Sequence, residues 1–462
     1  MSNTCTENKT SLLRVFEAMD AAGVRYAQFK STRRLPESFA GQTDFDLLVH
    51  PADAQALLSI LYAHGFKQRH ATIDSSYPGV EDYLWYDAAA DAMHHFQIHY
   101  RLIFGKDGEK NHWLPDTEKI LTHCQRHPEY RIPVTPPAFE YMLLILRIIL
   151  KFDPNHPEKS KRYAIQKSMR LELDELLKAI SQSDLESAVA TFLPENKTGV
   201  TQLIQQFLNT LNDKKRETHC EKLYATAQET LKPWQRMSDA DTHTMASARA
   251  MIKPLKTRWL NAGGKTIALV GPDGSGKSTL STALTRWLSY KLSCQSLYLG
   301  QLKSPPEKTS GWLKNNKPEN QHLRTTKHRL ETALTGQQLA SQGYLVIYDR
   351  YPLKEFHPMQ LPMDGPRLKP GDADFETEQA LYQQIPNYPD ILILLTADLE
   401  TVLSRKPENR AEAVLPIVEA KVNAVLELSK NPPENTQCLI IDATRDYETV
   451  KRDIQKRLWE ML

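Results

Sequence analysis

Ten residues, GPDGSGKSTL from Gly271 to Leu280, restrict this chain more than any others. They fit the spacing G-x-x-x-x-G-K-[ST] at Gly271, Gly276, Lys277 and Ser278. Before them stands a continuous apolar run, KTIALV, which reads as a buried strand. After them Leu280, Ala283, Leu284, Trp287, Leu288 and Leu292 recur on one face of a helix. Strand, glycine-rich turn and helix in this order gather successive backbone amides and a helix N-terminus around one point, a field suited to negative charge. Gly271, Gly274 and Gly276 give the turn its freedom and let the main chain approach phosphate oxygens. The stretch from Gly271 through Ser275 to Thr279 is therefore expected to hold the phosphates of ATP or GTP. Lys277 would meet the terminal phosphates and the Ser278 hydroxyl a magnesium ion. Asp273 is the odd member. A triphosphate repels a carboxylate inside its cradle, so Asp273 should face whatever lies beyond the γ-phosphate; the competing reading is an exposed loop aspartate.

From residue 264 onward the runs TIALV, SLYL, YLVIY, ILILL and CLII alternate with amphipathic segments, the pattern of parallel strands buried on both faces. The expected fold of 264–462 is α/β, a doubly wound parallel sheet. YLVIYDRYPL puts Asp349 and Arg350 at the carboxyl end of one strand, where open α/β sheets bind ligands. There Asp349 can join a magnesium-water shell and Arg350 can meet an acceptor phosphate, unless the two form an ordinary strand-end salt bridge.

The aspartate-bearing loop and the later DRY resemble the thymidylate kinase group of P-loop nucleoside-monophosphate kinases, over Lys265 to Leu462. The resemblance implies that Asp273 faces the acceptor and that Arg350 grips the acceptor's phosphate. It implies that LSRKPENR is a lid bringing Arg405, with Lys406 or Arg410, to the transferring phosphoryl group, and that IIDATRD packs on the nucleotide base. Two departures bear on the acceptor. LYLGQLKSPPEKTSG stands where that group has an Arg-Glu-Pro-Gly-Gly stretch, and DRY is followed by a long proline-rich segment combining Asp364 with Arg367. Arg324 and Arg329, on the preceding helix, are further acceptor-phosphate candidates or else ordinary exposed helix arginines.

A chain of 462 residues exceeds what one core organises, and its pattern changes twice. Residues 1–130 mix helices with short strands, an α+β pattern; residues 131–263 read as helices and a linker, with the 12-residue run Tyr141 to Phe152 too short for a membrane span and expected to be a buried helix. Asp53 is expected to cap a helix over Pro51 to His64. In GQTDFDLLV, Asp44 and Asp46 lie two apart on a strand, about 6.6 Å along one face, and can share magnesium ions as nucleotidyl transfer requires. With VRYAQFKS before and HHFQIHYRL after, this region is similar to the nucleotidyltransferase-like fold. It departs from that fold in having FKST in place of a Gly-Ser pair, and Gln97 where a third carboxylate is expected. His95 and His99, four apart on a strand, are about 13 Å from each other and read as ordinary histidines.

Lysines and arginines number 58 against 56 acids, so net charge gives no reason to expect a nucleic-acid or membrane partner. Five scattered cysteines, Cys5 among them, and a polar start suggest a reducing cytoplasm. The leading expectation is an ATP- and magnesium-dependent kinase acting on a small-molecule acceptor, a nucleoside monophosphate by resemblance or a sugar or sugar phosphate. The rivals are a nucleotidyltransferase whose P-loop domain senses ATP, and a non-catalytic nucleotide-gated scaffold.

Overall fold

The computed structural model describes residues 2–72, 76–105, 110–114, 116–152, 167–211, 216–238, 256–302, 320–357 and 363–462, with the single positions 241, 244 and 247. Outside them lie most of the linker at 239–255, the sequence 303–319, positions 358–362 of the proline-rich segment, and the Cys5 side chain. The chain forms two compact units, Met1–Lys256 and Thr257–Leu462. None of the described helices is long and apolar enough to cross a membrane.

In the first unit α1 (Ser2–Ala21), β1 (Tyr26–Gln28), α2 (Leu35–Phe39), β2 (Phe45–Val49), α3 (Ala54–Ala63), β3 (Lys67–Ala71), β4 (Val80–Asp87) and β5 (Ala92–His99) follow one another. After the small pair β6 (Leu102–Phe104) and β7 (His112–Leu114) come α4 (Thr117–Thr122), β8 (Gln125–Arg126) and β9 (Pro133–Val134). Seven strands of this unit run in the order β3-β4-β5-β2-β1-β9-β8. Every residue of β2 is buried. Phe16 of α1 packs against Phe45 and Phe96 at 5.4 and 5.5 Å between ring centroids, fixing the helix on the sheet.

The apolar run expected to be a buried helix is α5 (Pro137–Leu150). Its apolar residues fall on every side and nearly all of them are buried, so it is wrapped on several sides. The wrapping comes from α6 (Lys167–Lys178), α7 (Gln182–Phe192), α8 (Lys197–Thr210) and α9 (Arg216–Thr230), through Leu173, Val189, Leu203, Ile204 and Ala227. Phe29, Leu48, Leu102 and Leu114 belong to the same cluster, so the α+β and helical stretches share one continuous core. Asp53 precedes α3, but its carboxylate makes no cap bond; it accepts from the Arg25 backbone N–H and Nε at 2.9 and 2.8 Å.

The second unit is built on β10 (Lys265–Val270), α10 (Lys277–Leu288), β11 (Cys294–Tyr298), α11 (Gln321–Ser341), β12 (Leu345–Asp349), α12 (Phe375–Gln384), β13 (Ile391–Thr396), α13 (Leu399–Arg405), α14 (Leu415–Lys430), β14 (Gln437–Asp442) and α15 (Tyr447–Met461). Five of its strands form one parallel sheet, in the order β11-β12-β10-β13-β14. β12, β10 and β13 are buried almost throughout. The edge strands β11 and β14 are not, contrary to the uniform burial their apolar runs suggested, because an edge strand lacks a neighbour on one side. Register pairs Leu269 with Asp349 and Val270 with Leu394, so the ends of the three central strands open onto one place.

Candidate functional site

Between β10 and α10 the chain makes the turn its glycines predict. Gly274 and Gly276 have φ of 95° and 91°, a left-handed conformation that side chains disfavour. Gly271 is needed for space instead: a Cβ there would come within 2.7 Å of the Leu395 carbonyl oxygen. Lys277 is buried, and its Nζ donates to the carbonyls of Gly271 and Pro272 at 2.8 and 2.7 Å, closing the loop on itself. Burial above all, and then the charge of Arg350, pushes its ammonium down to about 8. Ser278 and Thr279 are exposed in the first turn of α10, whose leading amides have no intrahelical acceptor.

Asp273 projects into a group of cations. Its carboxylate accepts from Arg350 Nη2 and Lys421 Nζ, each at 3.2 Å, and lies 3.9 Å from Lys277 Nζ. Burial works against its charge, yet Lys277, Lys421 and Arg350 together hold the carboxyl well below the usual carboxylate range. Lys421, on α14, carries no motif and was missed in the sequence. Arg350 itself is left-handed, at φ 78°, a conformation costing a non-glycine residue roughly 1–2 kcal/mol. Gly300 makes room for it: a Cβ there would collide with the Tyr298 hydroxyl and come within 2.8 Å of Arg350 Cδ.

Arg329 is neither an exposed helix arginine nor open to solvent. Only 1% exposed, its guanidinium donates to the carbonyls of Leu299 and Gly365 at 2.8 and 3.0 Å and to Asp364 at 3.3 Å. Asp364, left-handed at φ 58°, also lies 3.7 Å from Arg350 Nη1. Buried Glu378 accepts from the amides of Arg367 and Leu368 at 3.0 and 2.7 Å and from Thr326 Oγ1 at 3.0 Å, anchoring the segment after Asp364. Asp273, Asp364, Arg350, Arg367 and Lys421 thus border one cavity of about 190 Å³. A second cavity, of about 930 Å³, shares Met363 and Arg367 with it. Arg324 lies on α11 with a buried Nε that has no partner among the described residues.

The region expected to be a lid is α13 and a short turn at Pro407–Arg410. Arg405 donates to the carbonyls of Thr444 and Arg445 at 3.5 and 3.3 Å, and Arg410 pairs with Glu400 at 2.7 Å. These partners are not residues of the phosphate loop. The Val402 carbonyl and Lys406 Cγ lie beside it, 3.3 and 3.7 Å from where a Cβ on Gly274 would be. The segment IIDATRD ends β14 and turns at Asp442, which accepts from Thr444 N and Oγ1 at 2.9 and 2.6 Å.

In the first unit Asp46 lies on β2 and Asp44 just before it. Lys30 Nζ pairs with Asp46 at 2.7 Å, and His95 is held between Asp44 at 3.0 Å and Asp82 at 2.7 Å. Asp82 on β4 was not singled out in the sequence; it stands next to Gln97, which in turn pairs in register with Asp46. Arg69 completes the group at 2.8 Å from Asp82. His99 is buried, its Nε2 3.1 Å from Gln97 Oε1.

The phosphate loop fits a magnesium nucleotide. Asp349 Oδ1 and Ser275 Oγ are buried without a partner among the described residues, at the strand end and in the loop, oxygen atoms of the kind that hydrated magnesium and phosphate engage. The carboxylates of the first unit do not fit a metal pair, since a basic nitrogen already lies within 3.0 Å of each. Among the described residues no three or more His, Cys, Asp and Glu side chains are grouped to hold a metal ion.

No protein-family model matches the chain. Over 223 residues, 41% of this chain, it is 28% identical to the Uncharacterized ATP-binding protein YghR of Escherichia coli K12, covering 85% of that protein. Over 186 residues, 32% of this chain, it is 29% identical to the Uncharacterized ATP-binding protein YghS of the same strain, covering 76%. Among solved structures, the deoxyadenosine kinase of M. mycoides with bound dATP aligns with 42% of this chain and 98% of its own, at 21% identity and a TM-score of 0.28. The same enzyme with bound dCTP aligns over equal shares at a TM-score of 0.25.

Proposed function

We propose that the second unit is an ATP-dependent phosphotransferase moving the γ-phosphoryl group to a small acceptor that already carries an anionic group. The observation that carries this reading is Asp273. It belongs to the phosphate loop, yet its side chain is shared by Arg350 and Lys421 on the border of a polar cavity, so donor and acceptor would meet there. Phosphoryl transfer depends chiefly on positioning and on neutralising the transferring oxygens. The loop amides and Lys277 would hold the β- and γ-phosphates of ATP. Arg350 and Lys421 would hold the acceptor's anion, with Lys406, Arg405 and Arg410 on the neighbouring segment closest to the donor side. Magnesium, on Ser278 and through water on Asp349, would supply charge neutralisation to the phosphoryl oxygens. By resemblance the acceptor would be a nucleoside monophosphate such as thymidylate.

The similarity of the aligned relatives, both named as ATP-binding proteins, supports the nucleotide part of this reading. Incubation with γ-labelled and, separately, α-labelled ATP and an acceptor panel tests the rest. The expected result is γ-label in product. Transfer of α-label, the outcome nucleotidyl transfer requires, would overturn the reading. No step is assigned to Asp44 and Asp46.

A further inference from the structure

The cavity beside Asp273 says more about the acceptor than the resemblance does. At about 190 Å³ it lies below the range of roughly 300–1,000 Å³ typical of clefts for drug-sized ligands. Its border is unusually polar. Arg350, Arg367 and Lys421 supply three cations, Asp273 and Asp364 two carboxylates, Tyr298 a phenol and Gln301 an amide, against Met363 as the one large apolar side chain. Among the described residues lining it Tyr298 is the one aromatic ring, whereas Phe356 and Phe375 line the adjoining cavity.

Two of these features are held in place at a cost. Asp364 is kept in a left-handed conformation by a guanidinium that is almost wholly buried, and Arg350 is left-handed as well. Strained, over-determined residues of this sort gather where a ligand must be met in one geometry. A carboxylate offers about four acceptor sites and favours hydroxyl donors. Thymidylate brings a single free sugar hydroxyl and would leave much of this acceptor capacity unmet. Sites built to bond hydroxyls reject analogues that lack them. The group nearest the phosphate loop is also a carboxylate, which repels an ionised phosphate oxygen and welcomes a neutral hydroxyl.

We propose that the acceptor is a phosphorylated sugar or polyol, its phosphate on Arg350, Arg367 and Lys421 and its hydroxyls on Asp273 and Asp364. This rests on the phosphotransferase reading above. In the step, an acceptor hydroxyl oxygen attacks the γ-phosphorus of ATP. The bond from that phosphorus to the β,γ-bridging oxygen breaks, and ADP leaves with the electron pair. The hydroxyl proton passes to Asp273 and on to solvent. The product is a sugar or polyol bisphosphate, a phosphate ester.

The test uses the full chain with γ-labelled ATP and magnesium. Ribose 5-phosphate, fructose 6-phosphate and glycerol 3-phosphate are set against dTMP, CMP and AMP. The expected result is a labelled ester of one of the first three, at kcat/KM about tenfold or more above every nucleotide. Asp364→Asn should then raise the KM for that acceptor about tenfold while ATP affinity stays unchanged. Should that variant fold poorly, Gln301→Ala provides the same KM readout from the cavity border. A nucleoside monophosphate labelled as well or better would overturn the acceptor class and leave the phosphotransferase standing, with its base in the adjoining 930 Å³ cavity. Bound ATP with no transfer to either class would overturn both.

Discussion

Each unit of this protein contains a group of carboxylates and cations, and the two groups differ in how completely they are paired. In the first unit Asp44, Asp46 and Asp82 each have a basic nitrogen within 3.0 Å: His95, Lys30, and His95 with Arg69. In the second, the nearest cations to Asp273 and Asp364 are at 3.2 and 3.3 Å, and Asp349 Oδ1 has no partner among the described residues. Short, closed pairs between buried charges leave little to offer a ligand, whereas longer, shared contacts beside a cavity can be exchanged for a ligand's own. The inventory of residue types would not have separated the two groups. The state of their pairing does.

The sharpest way to break this comparison is Lys277→Ala. We expect a loss of γ-phosphoryl transfer on the order of 10²–10³ or more, as for removal of a group that stabilises transferring charge. Undiminished turnover in acceptor-dependent assays would mean that the open group is not the working one.

For the closed group the expectation concerns stability. Lys30→Met leaves the Asp46 carboxylate buried without its cation and should cost about 3–5 kcal/mol in denaturant unfolding of the first unit. Lys30→Met combined with Asp46→Leu should recover most of that. If the double variant is no better than the single, the pair has a role beyond internal neutralisation.

Acidity should separate the units too. Burial pushes the imidazoles of His94 and His112 down to about 4, and burial followed by Lys30 lowers that of His99. The unfolded chain therefore takes up protons near pH 6.5 that the folded unit refuses, and stability falls as pH drops from there towards 4, by on the order of 3 kcal/mol for each of the first two. Glu140, pushed up to about 7 by burial, works the other way, since its folded carboxyl is protonated earlier than its unfolded one. Two or more imidazoles outweigh one carboxyl, so calorimetry between pH 7 and pH 5 should show the first unit's transition moving down ahead of the second's. Transitions that move together would contradict this.

Smaller effects test the cavity's walls. Gly300→Ala drives a methyl group into Tyr298 and Arg350, and should lower kcat/KM for the acceptor about 10- to 100-fold with ATP affinity retained. Arg405→Ala, which removes an exposed side chain bonded to the carbonyls of Thr444 and Arg445, should change turnover by about fivefold or less. A larger loss would indicate that Arg405 leaves those carbonyls to reach ATP during turnover.

Much of the second unit could be read from the sequence because its signals are local. Glycines at 274 and 276 select a left-handed turn, and apolar runs mark the buried strands. In the first unit β3 and β4 went unread: KQRHA is polar and only partly buried, and VEDYLWYD mixes charge with aromatics, so neither shows clean alternation. Their absence from the reading concealed Asp82 and Arg69, and with them the closed pairing of the site.

By itself the sequence determined a strand, a turn and a helix around Gly271 to Leu280, because glycine freedom and side-chain periodicity act within a few residues. Only the tertiary structure decided that Lys421, 148 positions from Asp273, shares its carboxylate, that Arg329 is buried under Asp364, and that Arg405 bonds the carbonyls of Thr444 and Arg445. Charge pairing acts through space over a few ångströms, and which groups come that close depends on how the whole unit packs.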